Sequence, residues 1–286
     1  MKLGIEEVRF RLRGGNYFKK IAELGFSAAD YSLYDITEDV YTLSEAERKE
    51  KLQKIAKMAN EAGIEIFQAH GPSHRQTDDR TVEGREKHLE LAKTAIRACH
   101  DIGCKNLVLH TFMAAGEKDA ETPEAETVFA INKELFTALS DYALNFDVTL
   151  CIENMRQDGL SLGNPEEVIR LIDEIGRDNV KMCFDVGHAA IFSSKISVGD
   201  AIRKAGDRIA CTHFHDNYCW VDIHLMPMLG LVNWDEVCAA FKDIGFDGVL
   251  SIDSSPRADL PEDFFIRYGR LYTKTANILK NKILYR

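Results

Sequence analysis

No apolar run in this chain approaches the ~18 uninterrupted residues that a membrane-spanning helix needs. The opening MKLGIEEVRFRLRGG also lacks the apolar core of a secretory signal. Basic residues are in short supply: 36 Lys and Arg face 46 Asp and Glu, a formal net charge of -10. A nucleic-acid partner draws on cationic side chains over its phosphates, so this balance argues against one. The seven cysteines are odd in number, form no C-x-x-C pair and mostly sit inside apolar runs. That excludes a disulfide framework and reads as reduced core thiols in a cytoplasmic protein. Neither a low-complexity stretch nor a Ser/Gly linker interrupts the 286 residues, so a single domain over 1–286 is expected.

The chain is instead an alternation of short Val/Ile/Leu-rich runs with longer segments of helical period, the pattern of βαβ units and a parallel sheet. Strands are predicted at 2–5, 27–32, 64–70, 106–111, 148–153, 180–185, 208–215 and 248–253. Between them, Ser44 and Glu47 form a capping box ahead of a stripe of Leu52, Ile55, Ala56 and Ala59. Thr122–Pro123 and Asn164–Pro165 each set a cap residue before a proline at the first helical position. Gly103, Gly176 and Gly245 recur just before the next strand. Eight strands with intervening helices fit an α/β fold of the (β/α)8 TIM-barrel type. An open doubly wound sheet is the competitor, but no G-x-G-x-x-G follows the first strand.

Polar residues repeatedly close the apolar runs. His70 ends IEIFQAH, His110 ends NLVLH, Glu153 ends TLCIE, and Asp185 and His188 end FDVGH. His213, His215 and Asp216 follow in THFHD, Asp222 and His224 in VDIH, and Asp253 in VLSID. In a barrel every such end points to the C-terminal face, where active sites of the fold lie. Imidazole and carboxylate together are the ligand set of borderline and hard divalent cations.

Each residue also has a plainer reading. Glu153 could be ion-paired to a loop arginine such as Arg156, and Asp185 with His188 could be a capped turn after Gly187. His213 and His215, two apart, point to one side of a strand and are hard to explain as packing. Asp216 could orient a ligating histidine. Asp222 and His224 could merely hold a loop, and Asp253 could cap a turn with Ser254 and Ser255. His74, His88 and His100 read as loop or helix-surface residues.

The ordered set HGP, IEN, FDVGHA, HFHDN, D-x-H and LGLVNW resembles the xylose isomerase-like TIM-barrel superfamily of sugar and sugar-phosphate isomerases and epimerases, over essentially the whole chain. Its ketohexose 3-epimerase branch implies one divalent ion, Mn, Co or Mg, held here by Glu153, Asp185, Asp253 and either His213 or His215. The three-residue spacing to Asp216 favours His213. The resemblance makes Glu153 and Asp253 the proton-transferring acids. His188 would then contact a substrate hydroxyl, and His70, His110, His215, Asp222 and His224 complete the substrate site. The branch carries Glu where this chain has Asp253, a carboxylate shorter by one methylene. The apurinic-site endonuclease branch implies three zinc ions, its pattern falling on His70, His110, Glu153, Asp185, His188, His213, Asp222, His224 and Asp253. Against it stand the acidic balance and the lack of an Arg-rich, aromatic DNA-inserting loop. The expected partner is a small sugar or sugar phosphate, with a homodimer implied by the superfamily. A barrel that binds sugar without turnover is the reading that Asp253 keeps open.

Overall fold

A computed structural model describes residues 1–72, 77–112, 125–156, 162–191, 196–218 and 220–285. Eight strands run in parallel: β1 (Lys2–Glu6), β2 (Ala28–Ser32), β3 (Glu65–His70), β4 (Asn106–Leu109), β5 (Thr149–Glu153), β6 (Val180–Asp185), β7 (Ile209–His213) and β8 (Val249–Ile252). From β1 to β7 each strand pairs with the next in sequence, and β1 also pairs with β8. The seam between β7 and β8 is closed by single contacts. Phe214 N donates to Ser251 O (2.8 Å), and the Thr212 hydroxyl donates to Val249 O (2.8 Å) while accepting from Ser251 N (3.3 Å). A threonine side chain thus stands in for a rung of the ladder. The result is a TIM barrel.

Helices pack outside. They are α1 (Val8–Leu12), α2 (Tyr17–Leu24), α3 (Asp39–Thr42), α4 (Glu45–Glu61), α5 (Val82–Asp101), α6 (Ala125–Ala143), α7 (Pro165–Ile175), α8 (Val186–Ala190), α9 (Val198–Ala205), α10 (Trp234–Asp243) and α11 (Glu262–Tyr285). The Ser44–Glu47 capping box opens α4, and Leu52 and Ala59 are its buried apolar residues, with Ile55 and Ala56 half-buried beside them. Asn164 caps α7 ahead of Pro165, and Gly176 ends it at φ 61°, a left-handed turn that a side chain would strain. The predicted Thr122–Pro123 start of α6, together with His74 and Cys219, lies outside the described residues.

The main core lies between strands and helices, with Ile5, Phe18, Leu107, Phe136, Leu150, Phe184 and Phe241 fully buried. The six described cysteines are all buried and free, as their apolar settings lead one to expect. No described helix is long and apolar enough to cross a membrane. His88 departs from its surface reading. It is 2 % exposed on α5, its Nδ1 2.9 Å from Asp79, because its side chain turns inward onto Phe112.

Candidate active site

Alternate side chains of a strand share a face. On four consecutive strands that rule stacks two interior layers. The lower one, Val108, Cys151, Cys183 and Cys211, is a small buried cluster of its own. Two residues further along the same strands come His110, Glu153, Asp185 and His213. His110 and Glu153 line a cavity of about 500 Å³ at the C-terminal end of the barrel, with Asp185 and His213 fully buried beside Glu153, and the ends of β1 and β8 add Glu6 and Asp253.

Glu153 is 1 % exposed and faces histidines from three sides. Its Oε1 is 2.9 Å from His213 Nδ1, while Oε2 is 3.0 Å from His110 Nε2 and 3.3 Å from His70 Nε2. Oε2 is buried and makes no hydrogen bond of good geometry to either of these two rings. Asp185 accepts the His188 amide at Oδ1 (2.6 Å) and meets His215 Nε2 at 2.9 Å. Asp253 lies 3.9 Å from His213 Nδ1 and 3.1 Å from His224 Nδ1. The His215 ring stacks on His224 with centroids 3.9 Å apart. Gly187 makes this approach possible: a Cβ there would come within 2.2 Å of the His215 ring. Its need is space for a neighbour, not the tight turn that the sequence suggested.

Four overlapping groups of potential ligand atoms, each within 4.8 Å of one another, contain all ten side chains singled out above. They are Glu153, Asp185 and His213; Asp185, His215 and Asp253; His70, His110 and Glu153; and His188, His215, Asp222 and His224. His213 and His215 therefore both reach Asp185, one beside Glu153 and the other beside Asp253.

Charge balance within the cluster sets its protonation. Burial opposes ionisation of Glu153, but His213, His110 and His188 outweigh it and hold the carboxyl well below its usual range. Burial likewise opposes charge on His213, where Cys183, Glu153, Asp253 and Asp30 raise the imidazole well above its ordinary value. His110 goes the other way, pushed down to about 4 by burial that Glu153 only partly offsets. Among the residues that line the cavity, seven are acids and none is Lys or Arg. Of these acids Asp30 and Glu153 are buried, and Glu38 is already paired with Arg11; the carboxylates packed among the histidines need a counter-charge, protons on the imidazoles when no ion is present or a divalent cation that displaces them. Oxygen and imidazole donors with no thiolate suit Mn, Co, Mg or Zn.

One expectation changes. Asp216 does not orient a histidine; its oxygens accept the Asn217, Met228 and Val232 amides and the Trp234 indole (2.7 Å), pinning the loop that carries Asp222 and His224. The histidine partner is Asp30 of β2, 2.9 Å from His213 Nε2, which sequence reasoning missed along with Gln68, Asn154 and Glu6. Asn154 links the ends of β5 and β6, donating to Asp185 O and accepting from Asp185 N, both at 2.9 Å.

Known proteins are similar to this chain in sequence and fold. A D-psicose 3-epimerase of Enterocloster bolteae is 28% identical over 244 residues, 83% of this chain and 75% of that protein. A crystal structure of D-psicose 3-epimerase in the presence of D-fructose superposes with TM-score 0.78 at 20% identity, covering 98% of this chain and 99% of the other. The IOLI protein with a binding zinc atom superposes with TM-score 0.74 at 18% identity, covering 99% and 98%. The family model described as xylose isomerase-like TIM barrel matches residues 18–267, and the chain belongs to that family.

Proposed function

We propose that the chain, folded as one domain over 1–286, is a divalent-metal-dependent isomerase or epimerase of a small sugar or sugar phosphate. The observation that carries this reading is the meeting of Glu153, Asp185 and His213 within 4.8 Å, with Asp253 3.9 Å from His213 Nδ1. Glu153, Asp185, His213 and Asp253 would hold one ion. When bound, Mn, Co, Mg or Zn supplies Lewis-acid stabilisation of negative charge on the substrate's carbonyl and neighbouring hydroxyl oxygens. The similar D-psicose 3-epimerase is named for epimerisation at carbon 3, which in a 2-ketose lies next to the carbonyl, where a proton can be removed and returned.

Glu153 and Asp253 lie 2.9 Å and 3.9 Å from the same imidazole nitrogen, close enough together for both to reach one bound substrate. One takes the proton from the carbon next to the carbonyl, giving an enediolate. The other returns it, to the opposite face for epimerisation or to the adjacent carbon for aldose–ketose exchange. Asp253 is short by one methylene, yet its Oδ2 is already within 3.1 Å of His224, which steers it towards the cavity. His70, His110, His188, Asp222 and His224, which line the cavity, would bind hydroxyls, with His215 held behind His224 as part of the same substrate site. In this reading the enzyme is cytoplasmic and forms a homodimer, which light scattering tests.

Stripping the protein with a chelator should abolish turnover on a ketose panel, and adding back one divalent ion should restore it. Glu153→Gln should end solvent-deuterium exchange into the sugar; exchange at the wild-type rate in that variant would defeat the scheme. The same ligand groups suit a three-zinc apurinic-site hydrolase, but the chain's excess of acids over Lys and Arg disfavours holding a DNA duplex. Zinc-dependent incision of an abasic duplex would reverse that ranking. Tight sugar binding without turnover on the whole panel would instead mean a degenerate barrel.

A further inference from the structure

Asp30 stands in the middle of β2, three strands from β7 around the barrel, and its carboxylate crosses the interior to His213. One oxygen, Oδ2, takes two contacts: Gln68 Nε2 at 2.8 Å and His213 Nε2 at 2.9 Å. Gln68 is Asp30's register neighbour on β3, and its Nε2 also lies 3.4 Å from Thr212 O, next to His213 in the chain. All three side chains are buried, at 5 %, 0 % and 0 % exposure. Asp30 Oδ1 and Gln68 Oε1 are buried without a hydrogen-bond partner, a cost that packing alone would remove by substituting apolar residues.

An ionised carboxylate only accepts hydrogen bonds, so the ring nitrogen facing it must carry the proton. Nδ1 faces Glu153 at the same distance, so in metal-free protein it carries a proton too; a bound cation would displace that proton and take the Nδ1 lone pair, while Asp30 keeps Nε2–H. Nδ1 points into the acids, 2.9 Å from Glu153, 3.7 Å from Asp185 and 3.9 Å from Asp253. We infer that Asp30, latched by Gln68, is a positioning residue that fixes His213 with Nε2–H turned inward and Nδ1 presented to the cation. Such a partner both orients the ring and raises its basicity as a ligand. The inference rests on the proposed cation site, and it separates His213 from His215, whose Nε2 is held by Asp185, itself one of the proposed ligands, and not by a carboxylate outside the site.

The test uses the full chain stripped of metal and titrated with Co²⁺ against a chromophoric chelator. Asp30→Asn should weaken Co²⁺ binding by about 10- to 100-fold and alter the visible spectrum of the bound ion, with metal-free melting unchanged. Gln68→Met, which keeps the carboxylate and removes its latch, should shift affinity in the same direction by less. Affinity and spectrum matching wild type in both variants would overturn the inference. A second readout needs neither variant nor metal. In ¹⁵N-histidine-labelled wild type, His213 should give a slowly exchanging Nε2–H signal, and its absence would overturn the inference as well. Wild type that binds no Co²⁺ would bring down the proposed function, while the Nε2–H signal would still decide whether Asp30 fixes the ring.

Discussion

The two interior layers of the barrel use the same strands, face the same way and are equally hidden from solvent, yet their chemistry is opposite. Below, Val108, Cys151, Cys183 and Cys211 are all 0 % exposed, and burial drives the Cys183 and Cys211 thiols far above their ordinary range. They are small apolar fillers. Two residues higher, Glu153, Asp185 and His213 are 0–1 % exposed and His110 7 %, but each meets a partner of opposite character. Burial alone therefore does not decide what a residue does here; the neighbours do. A buried carboxylate among imidazoles stays ionised and reactive, whereas a buried thiol among thiols stays inert.

The sharpest way to break this contrast is to remove one charge from the upper layer. Glu153→Gln keeps volume and shape, so the barrel should fold and melt much as before. Turnover should fall by about 10²–10⁴-fold, the range for losing a positioned general base, and metal affinity should fall with it. Steady-state kinetics beside a metal titration would measure both. Retained turnover would mean that the upper layer holds structure only, like the one beneath it.

How much of this could be read from the chain follows from the same physics. All eight strands were legible because apolar runs and turn glycines mark them, with ends off by one or two residues. Strand β7 was drawn to His215 but stops at His213, since Phe214 keeps only an isolated bridge to Ile252. The site residues at strand ends were legible because an acid or imidazole closing an apolar run has no packing reason to be there. Asp30 and Gln68 were missed because they sit within runs, in AADYS and EIFQAH, not at their ends. A polar residue inside a strand buried on both faces was the available signal. Asp216 was misread because three-residue spacing says nothing about which way the chain turns after β7. The pairing of His88 with Asp79 depends on how a loop folds back, which helical period does not encode.

A second test compares two buried glutamates. Glu7, just after β1, is as hidden as Glu153 but has one cation near it, Arg11 Nε at 3.2 Å, and the Ser32 amide at 3.0 Å. Burial outweighs both and lifts its pKa to about 7, the reverse of the shift at Glu153. The folded state therefore holds the Glu7 proton more tightly than the unfolded chain does. Its contribution to stability is complete below the unfolded value of about 4.5 and is lost as pH rises through about 7. The swing is of order 3 kcal/mol at most. Glu7→Gln should flatten the stability curve over that window and gain most against wild type at pH 8. Urea melts of metal-free protein at pH 5 and pH 8 would read it, and parallel curves for the two proteins would refute it.

The smallest effect tests the lower layer. Cys151 lies directly beneath Glu153 on β5, its sulfur 3.4 Å from that of Cys211 across the floor. Cys151→Ala removes one sulfur atom and leaves a void lined by Val108, Cys183 and Cys211. The interior is packed too tightly to close over it completely, so stability should drop by about 1 kcal/mol, with a melting point lower by roughly 2–4 °C. Because the backbone of β5 is held by ladders to β4 and β6 on either side, Glu153 should keep its place above the void. Turnover should then be indistinguishable from wild type while the melt shifts. The opposite result, lost activity with an unshifted melt, would mean that the floor sets the geometry of the acids above it, and that the two layers act as one.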